Sequence, residues 1–249
     1  MSRIENKYWV AVENLDEMRE LGLNYMNHDY YSEIMKNKFY TVRSVYLDND
    51  QFDAYYEKTA GLEKRSKYRI RAYNQMNAGK TVYCEIKSKI KEYISKERFP
   101  IAFNQVADFL VYPDMLKIKN HSADYKLRLF AANNFIYSVK KKNMKPVVNV
   151  VYEREAFECK YGSGLRITFD MNLRGAETNS VANLFDEDSL REVKRGYFIL
   201  EIKYGRMLPS WVMSLVNRFG LIKEAISKYV LCLEESKSNI PKINRIYND

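Results

Sequence analysis

Histidine is nearly missing from this chain: 249 residues contain two, His28 and His121. That argues against a multi-histidine metal site or a histidine-based catalytic centre. Cysteine is scarce too. Cys84, Cys159 and Cys232 are odd in number, far apart and outside any Cys-x-x-Cys pair, so neither a disulfide framework nor a zinc knuckle is supported. Free thiols point to the cytoplasm. Nine Gly and five Pro are far too few for a collagen or a linker. No run of eighteen apolar residues suggests a membrane span. The first residues, Met-Ser-Arg-Ile-Glu-Asn-Lys, lack a signal-peptide core. There is no low-complexity segment, Pro/Gly-rich linker or fixed-period repeat.

What is present is an ordinary globular composition, 46% hydrophobic and 29% charged. A chain of this size buries roughly 70–75% of its unfolded surface. We read residues 1–249 as one domain with a helical insertion at about 101–144. The 41 Lys and Arg outnumber the 32 Asp and Glu, a net charge of +9. Such an excess suits solubility as well as an anionic partner such as nucleic acid, phosphate compounds or a membrane surface. The placement of the charges must decide.

That placement follows period two, the signature of strands. Arg3, Glu5 and Lys7 alternate with Ile4 and Tyr8, and the segment runs on into Val10 and Val12. Phe39 to Leu47 is β-branched and aromatic. In Lys67-Tyr68-Arg69-Ile70-Arg71-Ala72-Tyr73 the bases share one face. Glu85 and Lys87 oppose Cys84 and Ile86, and residues 92–99 carry Lys96 and Arg98. Val147 to Phe157 puts Tyr152 and Arg154 on one face. Residues 165–170 alternate strictly from Leu165 through Arg166, and Glu201 and Lys203 oppose Leu200 and Ile202. The count of about eight strands can close a barrel. Helices are expected over Leu15–Met26 with Asn14 as N-cap, over Phe103–Tyr112 and Ala123–Lys142, from Pro209, and over Ile222–Leu233.

On any single strand, charges at alternate positions fit a solvated face. Repeated over six strands whose opposite faces are apolar and need helical cover, they imply an inward-facing basic lumen. Unpaired cations there are costly unless the lumen is wet or holds an anion. The pattern therefore points to a tunnel for a phosphate-rich polyanion, for which the planar Arg fork is well suited. Glu residues in such a tunnel either neutralise neighbouring bases or hold a divalent metal on phosphate oxygens. Glu5 is read first as a charge partner, with metal ligation second. Glu201 is read first as a metal ligand.

The ordered strings Lys7-Tyr8-Trp9-Val10, Ser44-Val45-Tyr46-Leu47-Asp48, Lys67 to Tyr73, Glu85-Ile86-Lys87, Lys96-Glu97-Arg98-Phe99, Tyr152-Glu153-Arg154, Arg166 to Asp170, Glu201-Ile202-Lys203, Leu208-Pro209-Ser210-Trp211 and Ser227-Lys228-Tyr229 cover nearly the whole chain. In that order they resemble the VTC domain, the polyphosphate polymerase domain of the triphosphate tunnel metalloenzyme, or CYTH-like, superfamily. The resemblance implies an α+β fold: an antiparallel tunnel barrel of about eight strands with a basic lumen and helices packed outside. It implies transfer of the ATP γ-phosphate onto a growing polyphosphate chain with Mn2+ or Mg2+. It places Lys7, Lys228, Arg69 and Arg71 at the reacting phosphates. Lys58, Lys87, Lys96, Arg98, Arg154, Arg166 and Lys203 would bind substrate and product, and Glu201 with Glu5 would bind metal. ATP, polyphosphate, pyrophosphate and orthophosphate are the implied ligands. No nucleic acid is expected, and a membrane-protein partner is a candidate to receive the product.

Two departures from the family pattern matter. The hydrolase branch of the superfamily opens with Glu-x-Glu-x-Lys, whereas Arg3 stands at the first Glu position here. That favours a polymerase over an inorganic or nucleoside triphosphatase. The chain also carries no SPX domain or membrane helices, so a stand-alone catalytic module is expected. A binding module without turnover is a second alternative, and nucleic-acid binding, suggested by charge alone, a third that suits alternating bases beside few aromatics less well than a tunnel does. Trp9, Trp211 and Tyr152 are read as packing residues, and Lys140 to Lys142 as a helix-end charge run.

Overall fold

Period two becomes ten strands in the computed structural model, which describes residues 4–77, 79–91, 93–115, 118 and 124–236. Arg3, His121, the expected helix start at Ala123 and the strand start at residue 92 lie outside the described residues. The chain runs β1 (Ile4–Ala11), α1 (Leu15–Leu23), β2 (Met26–His28), α2 (Tyr30–Glu33), β3 (Tyr40–Asp48), α3 (Asp53–Thr59), β4 (Lys64–Tyr73) and β5 (Thr81–Ile90). It continues through β6 (Tyr93–Ala102), α4 (Val106–Val111), α5 (Tyr125–Lys141), β7 (Lys145–Cys159), β8 (Arg166–Glu177), β9 (Arg191–Glu192), β10 (Tyr197–Tyr204), α6 (Ser210–Arg218) and α7 (Lys228–Ser236).

Eight strands form one antiparallel path in the order β1-β10-β8-β7-β3-β4-β5-β6, with β2 and β9 attached to its flanks. This is the expected α+β architecture, with one difference in closure. Among the described residues β1 and β6 are the free ends of the ladder, so no backbone hydrogen bonds seal the barrel. The seam is bridged by side chains instead, for example Lys87 Nζ on β5 to Glu5 Oε2 on β1 at 3.4 Å.

The two faces of the sheet divide as the alternation predicts. Tyr68, Ile70 and Ala72 of β4, Cys84 and Ile86 of β5 and Phe99 of β6 pack outward against α4 and α5 through Phe109, Ala132 and Phe135. Tyr8 and Val10 of β1 with Phe198, Leu200 and Ile202 of β10 pack outward against Met18 of α1 and Leu215 of α6. The inner face is basic over one half only. Over the other half Tyr46, Val148, Val150, Tyr152 and Ile199 pack against Tyr229, Val230 and Leu233 of α7, which fills that end of the interior. An irregularity in the β7–β8 register, with Asn172 at φ 49, turns Leu173 into this cluster. Asn tolerates that left-handed conformation better than most residues.

Helix α7 sits so close to β8 that a Cβ on Gly175 would overlap Cys232 Cβ and lie 3.0 Å from its Cα and Sγ. Gly175→Ala is therefore expected to force α7 outward and lower stability by about 1–3 kcal/mol, the usual cost of overpacking. Thermal unfolding of the variant checks this.

Several helix boundaries differ from expectation: residues 103–105 form a 3-10 turn before α4, and α7 runs on past Leu233 to Ser236. The first helix stops at Leu23 and gives way to β2, where Met26 pairs with Cys159. Asn14 sits at its start without capping it through its side chain. Pro209 precedes its helix as N-cap instead of occupying the first turn. The last helix begins at Lys228, not Ile222, because the preceding residues run beside β1, where the Glu224 N–H donates to the Lys7 carbonyl at 2.9 Å.

Candidate functional site

The basic half of the interior is a cavity of about 830 Å³ lined by Arg69, Arg71, Lys80, Lys87, Lys96, Arg98, Arg154, Arg166 and Lys203, nine bases against the single acid Glu5. Strand periodicity puts them there: residues two apart on a strand share a face, and the outer faces are consumed by the cores. Eight of the nine were expected from sequence. Lys80 was not, because it lies in the β4–β5 connection, where alternation carries no signal.

Behind the bases lies a shell of buried carboxylates. Glu85 on β5 accepts from Arg69 Nε and Nη2 at 2.8 and 2.7 Å and meets Lys96 Nζ at 2.6 Å. Asp170 on β8 is fully buried; it holds Arg154 bidentately at 2.6 and 2.7 Å and accepts from Lys228 Nζ at 2.5 Å. Glu201 on β10 pairs with Lys203 and lies 3.8 Å from both Lys7 Nζ and Arg154 Nη2. Burial alone would raise the pKa of these acids, but the surrounding cations reverse it. Arg69, Arg71 and Lys96 hold Glu85 at about 2. Lys7 and Lys203 hold Glu201 well below the usual carboxylate range. All three acids stay ionised and fix the bases in place.

Glu5 faces the cavity with Lys7 Nζ at 3.0 Å, and Lys87 and Lys203 at 3.4 and 3.9 Å. Its burial is outweighed mainly by Lys7, which brings its pKa to about 2. Lys7 also donates to the Ile226 carbonyl at 3.3 Å. Arg71 donates to Ser44 Oγ at 3.1 Å and to the Tyr152 hydroxyl at 3.4 Å. Tyr152 is more than packing: Arg154 and Lys228 lie over its ring at 5.3 and 4.6 Å. Arg166 is anchored by Asp29 at 2.7 Å, and Arg98 lies over the Tyr83 ring at 5.1 Å.

Lys7, Lys228 and Glu201 stand just behind the lining and not on it. Lys58 also lies off the cavity, on α3, where its charge helps to depress the pKa of Lys67. Lys67, to which the strand alternation assigns no role, lies close to Lys7, Lys58 and Lys87. Its ammonium donates to Ser227 Oγ at 2.6 Å, and burial with the neighbouring Lys7, Lys58 and Lys87 lowers its pKa well below the usual lysine value. Asp170 and Glu85 also carried no assigned role, since their importance comes from cross-strand partners.

No group of three or more His, Cys, Asp and Glu able to cage a metal exists among the described residues. The donors present fit a different kind of site. Glu201 lies opposite Thr168 in the β8–β10 register, and Thr168 Oγ1 is buried with no hydrogen-bond partner among the described residues. Together with Glu5, which shares Lys7 and Lys203 with Glu201, these are hard oxygen donors. One or two carboxylates completed by phosphate oxygens and water suit Mg2+ or Mn2+.

A family model described as the VTC domain matches residues 2–236. The chain is 27% identical over 269 aligned positions to the vacuolar transporter chaperone complex subunit 4 of Schizosaccharomyces pombe, covering 91% of this chain and 36% of that protein. It is 24% identical to the same-named subunit of Trypanosoma brucei brucei, covering 68% of this chain and 25% of that one. The chain thus spans about a quarter to a third of the length of these curated relatives. Among solved structures, a Pyrococcus horikoshii OT3 protein aligns over 94% of this chain and 99% of its own, at 16% identity and TM-score 0.46. A Hippeastrum protein with a dominant triphosphatase activity aligns over 97% and 98%, at 12% identity and TM-score 0.47.

Proposed function

This chain is a member of the VTC domain family, and we propose on that footing that it is a polyphosphate polymerase. The observation that carries the reading is the cavity itself, nine bases facing one acid with the balancing carboxylates set behind. Such a site favours chains of phosphate over neutral or cationic ligands.

Phosphoryl transfer needs positioning and charge neutralisation more than covalent chemistry. Arg69, Arg71, Arg154 and Lys96 hold the triphosphate of ATP. An oxygen of orthophosphate, pyrophosphate or the chain end, already ionised at neutral pH, attacks the γ-phosphorus. The new O–P bond forms as the bond to the β-phosphate oxygen breaks, and ADP leaves. No general base is required, which fits a site whose acids are all ionised. Incoming phosphates would compete with Glu201 and Glu5 for Lys7 and Lys203. Those carboxylates, with Thr168 Oγ1, would hold Mn2+ or Mg2+, which supplies charge neutralisation across the phosphate oxygens when bound. Lys7 and Lys228 offset charge developing on the transferred phosphoryl. Lys87, Arg98, Arg166 and Lys203 line the path of the chain, and Lys58 adds to its field.

We place the protein in the cytoplasm, where its free cysteines stay reduced. No helix of the described residues is long and apolar enough to cross a membrane, and a membrane partner would receive the product. Nucleic acid does not fit, because the bases point into a cavity and are held on buried acids instead of lining an open stacking platform.

Purified protein incubated with ATP, Mn2+ and a pyrophosphate primer, with products resolved on a gel, tests the reading. Phosphate chains that lengthen with time alongside ADP are expected. ADP and orthophosphate without chains would mean a triphosphatase, and no turnover a binding module.

A further inference from the structure

One wall of the cavity is aromatic and aliphatic. Tyr31, Tyr40, Tyr73 and Tyr83 line it, flanked by Ile34 and Met35. The rings form a continuous edge-to-face series: Tyr31–Tyr40 at 6.2 Å, Tyr40–Tyr73 at 6.1 Å and Tyr73–Tyr83 at 6.2 Å between centroids. Contacts of this kind rigidify each ring against the next. Tyr40, the second ring of the series, is buried, while Tyr31 at its head stands 62% exposed. The wall adjoins the bases directly. Tyr73 follows Arg71 on the same face of β4, one step of about 7 Å along a strand. Tyr40 is paired in register with Arg154.

A cavity built for a bare polyanion gains nothing from an exposed aromatic and aliphatic wall at its entrance. A ligand with a flat apolar part joined to a triphosphate would use both. We propose that this wall seats the nucleobase of a nucleoside triphosphate by stacking on Tyr31, with the phosphates running inward past Arg154 and Arg71. This rests on the phosphate-transfer reading above and adds the seat and direction of the nucleotide. Stacking on Tyr31 reads a π-face, which every base presents. Asn74, the amide among the lining residues, has its Oδ1 committed to the Thr41 N–H at 3.1 Å. Nucleotides with different bases should therefore bind alike.

Equilibrium binding in EDTA, without turnover, separates the parts. ATP and tripolyphosphate are titrated into the wild type, Tyr31→Ala and Tyr31→Trp; Tyr31 is exposed enough for both substitutions to leave the fold intact. Base–aromatic stacking is worth about 1–3 kcal/mol, so Tyr31→Ala should weaken ATP binding roughly 5–150-fold. Tripolyphosphate binding should be unchanged, Tyr31→Trp should retain ATP, and CTP, GTP and UTP should bind the wild type within a few-fold of ATP. If both ligands bind and Tyr31→Ala weakens neither, the base sits elsewhere and the proposal is overturned with the phosphate site intact. A preference for one base approaching 10⁴-fold would show edge recognition by hydrogen bonds and overturn it as well. Failure of the wild type to bind either ligand would overturn the phosphate-transfer reading together with this one.

Discussion

Glu201→Gln is expected to reduce ATP-dependent chain growth by about 10²–10³-fold, the usual effect of removing one group that stabilises charge in a transition state. The side chain keeps its shape and loses its charge. Two roles are open to the carboxylate, and they predict different results. If Glu201 only balances Lys7 and Lys203, the variant frees positive charge into a cavity that already binds anions. Tripolyphosphate would then bind more tightly in EDTA and turnover would stay within a few-fold. If Glu201 holds a divalent cation against the phosphates, binding in EDTA still strengthens while turnover collapses. The combination of tighter metal-free binding with lost turnover is the expected outcome. The pH dependence carries the same sign. Lys7, Lys203, Arg154 and Lys228 keep the Glu201 pKa far below the usual range despite its burial, so its contribution to activity should be flat from neutral pH down through the ordinary carboxylate range. Turnover unchanged in Glu201→Gln would remove it from the metal site.

How much of this site can be read along the chain depends on where its information lies. Arg69 and Arg71 are legible because period two is a local property, and Tyr68, Ile70 and Ala72 between them need a core. The basic lumen follows once several strands show the same division. The counter-ions are not legible in that way. Whether Glu85 meets Arg69, or Asp170 meets Arg154, depends on registers between strands, which for Arg154 and Asp170 means 16 residues of separation and a neighbouring bulge. The apolar half of the interior escapes for the same reason: Val148, Val150 and Ile199 face inward, yet nothing local says that α7 will cover them. Short elements also give little signal. A four-residue helix, α2, carries Tyr31, and β2 has three residues, too few to alternate. Residues 222–227 show apolar spacing compatible with a helix, but they form no helix and are tied to β1 through the Glu224 N–H, so tertiary context overrides propensity.

Asp170→Ala should be the most destabilising single change in the site. Asp170 is fully buried and is the shared partner of Arg154 and Lys228, whose side chains are themselves largely buried. Removing one member of such a group leaves uncompensated charge in the interior, at a cost of about 3–5 kcal/mol. For a domain of this size that corresponds to a fall in Tm of roughly 6–20 °C. Two further measurements separate lost pairing from a simple cavity. The Asp170 pKa lies below its ordinary value because Arg154 and Lys228 outweigh the effect of burial. A depressed carboxylate pKa contributes stability that is present above the unfolded-state value and is lost as pH falls through the folded-state value. Acid should therefore destabilise the wild type more steeply than the variant, and the gap in Tm should narrow as pH drops below about 4. Tripolyphosphate should also raise the Tm of Asp170→Ala more than that of the wild type, because the ligand supplies the missing negative charge to Arg154 and Lys228. A uniform loss of stability, indifferent to both pH and polyanion, would mean that Asp170 acts by filling space and that the two bases do not depend on it.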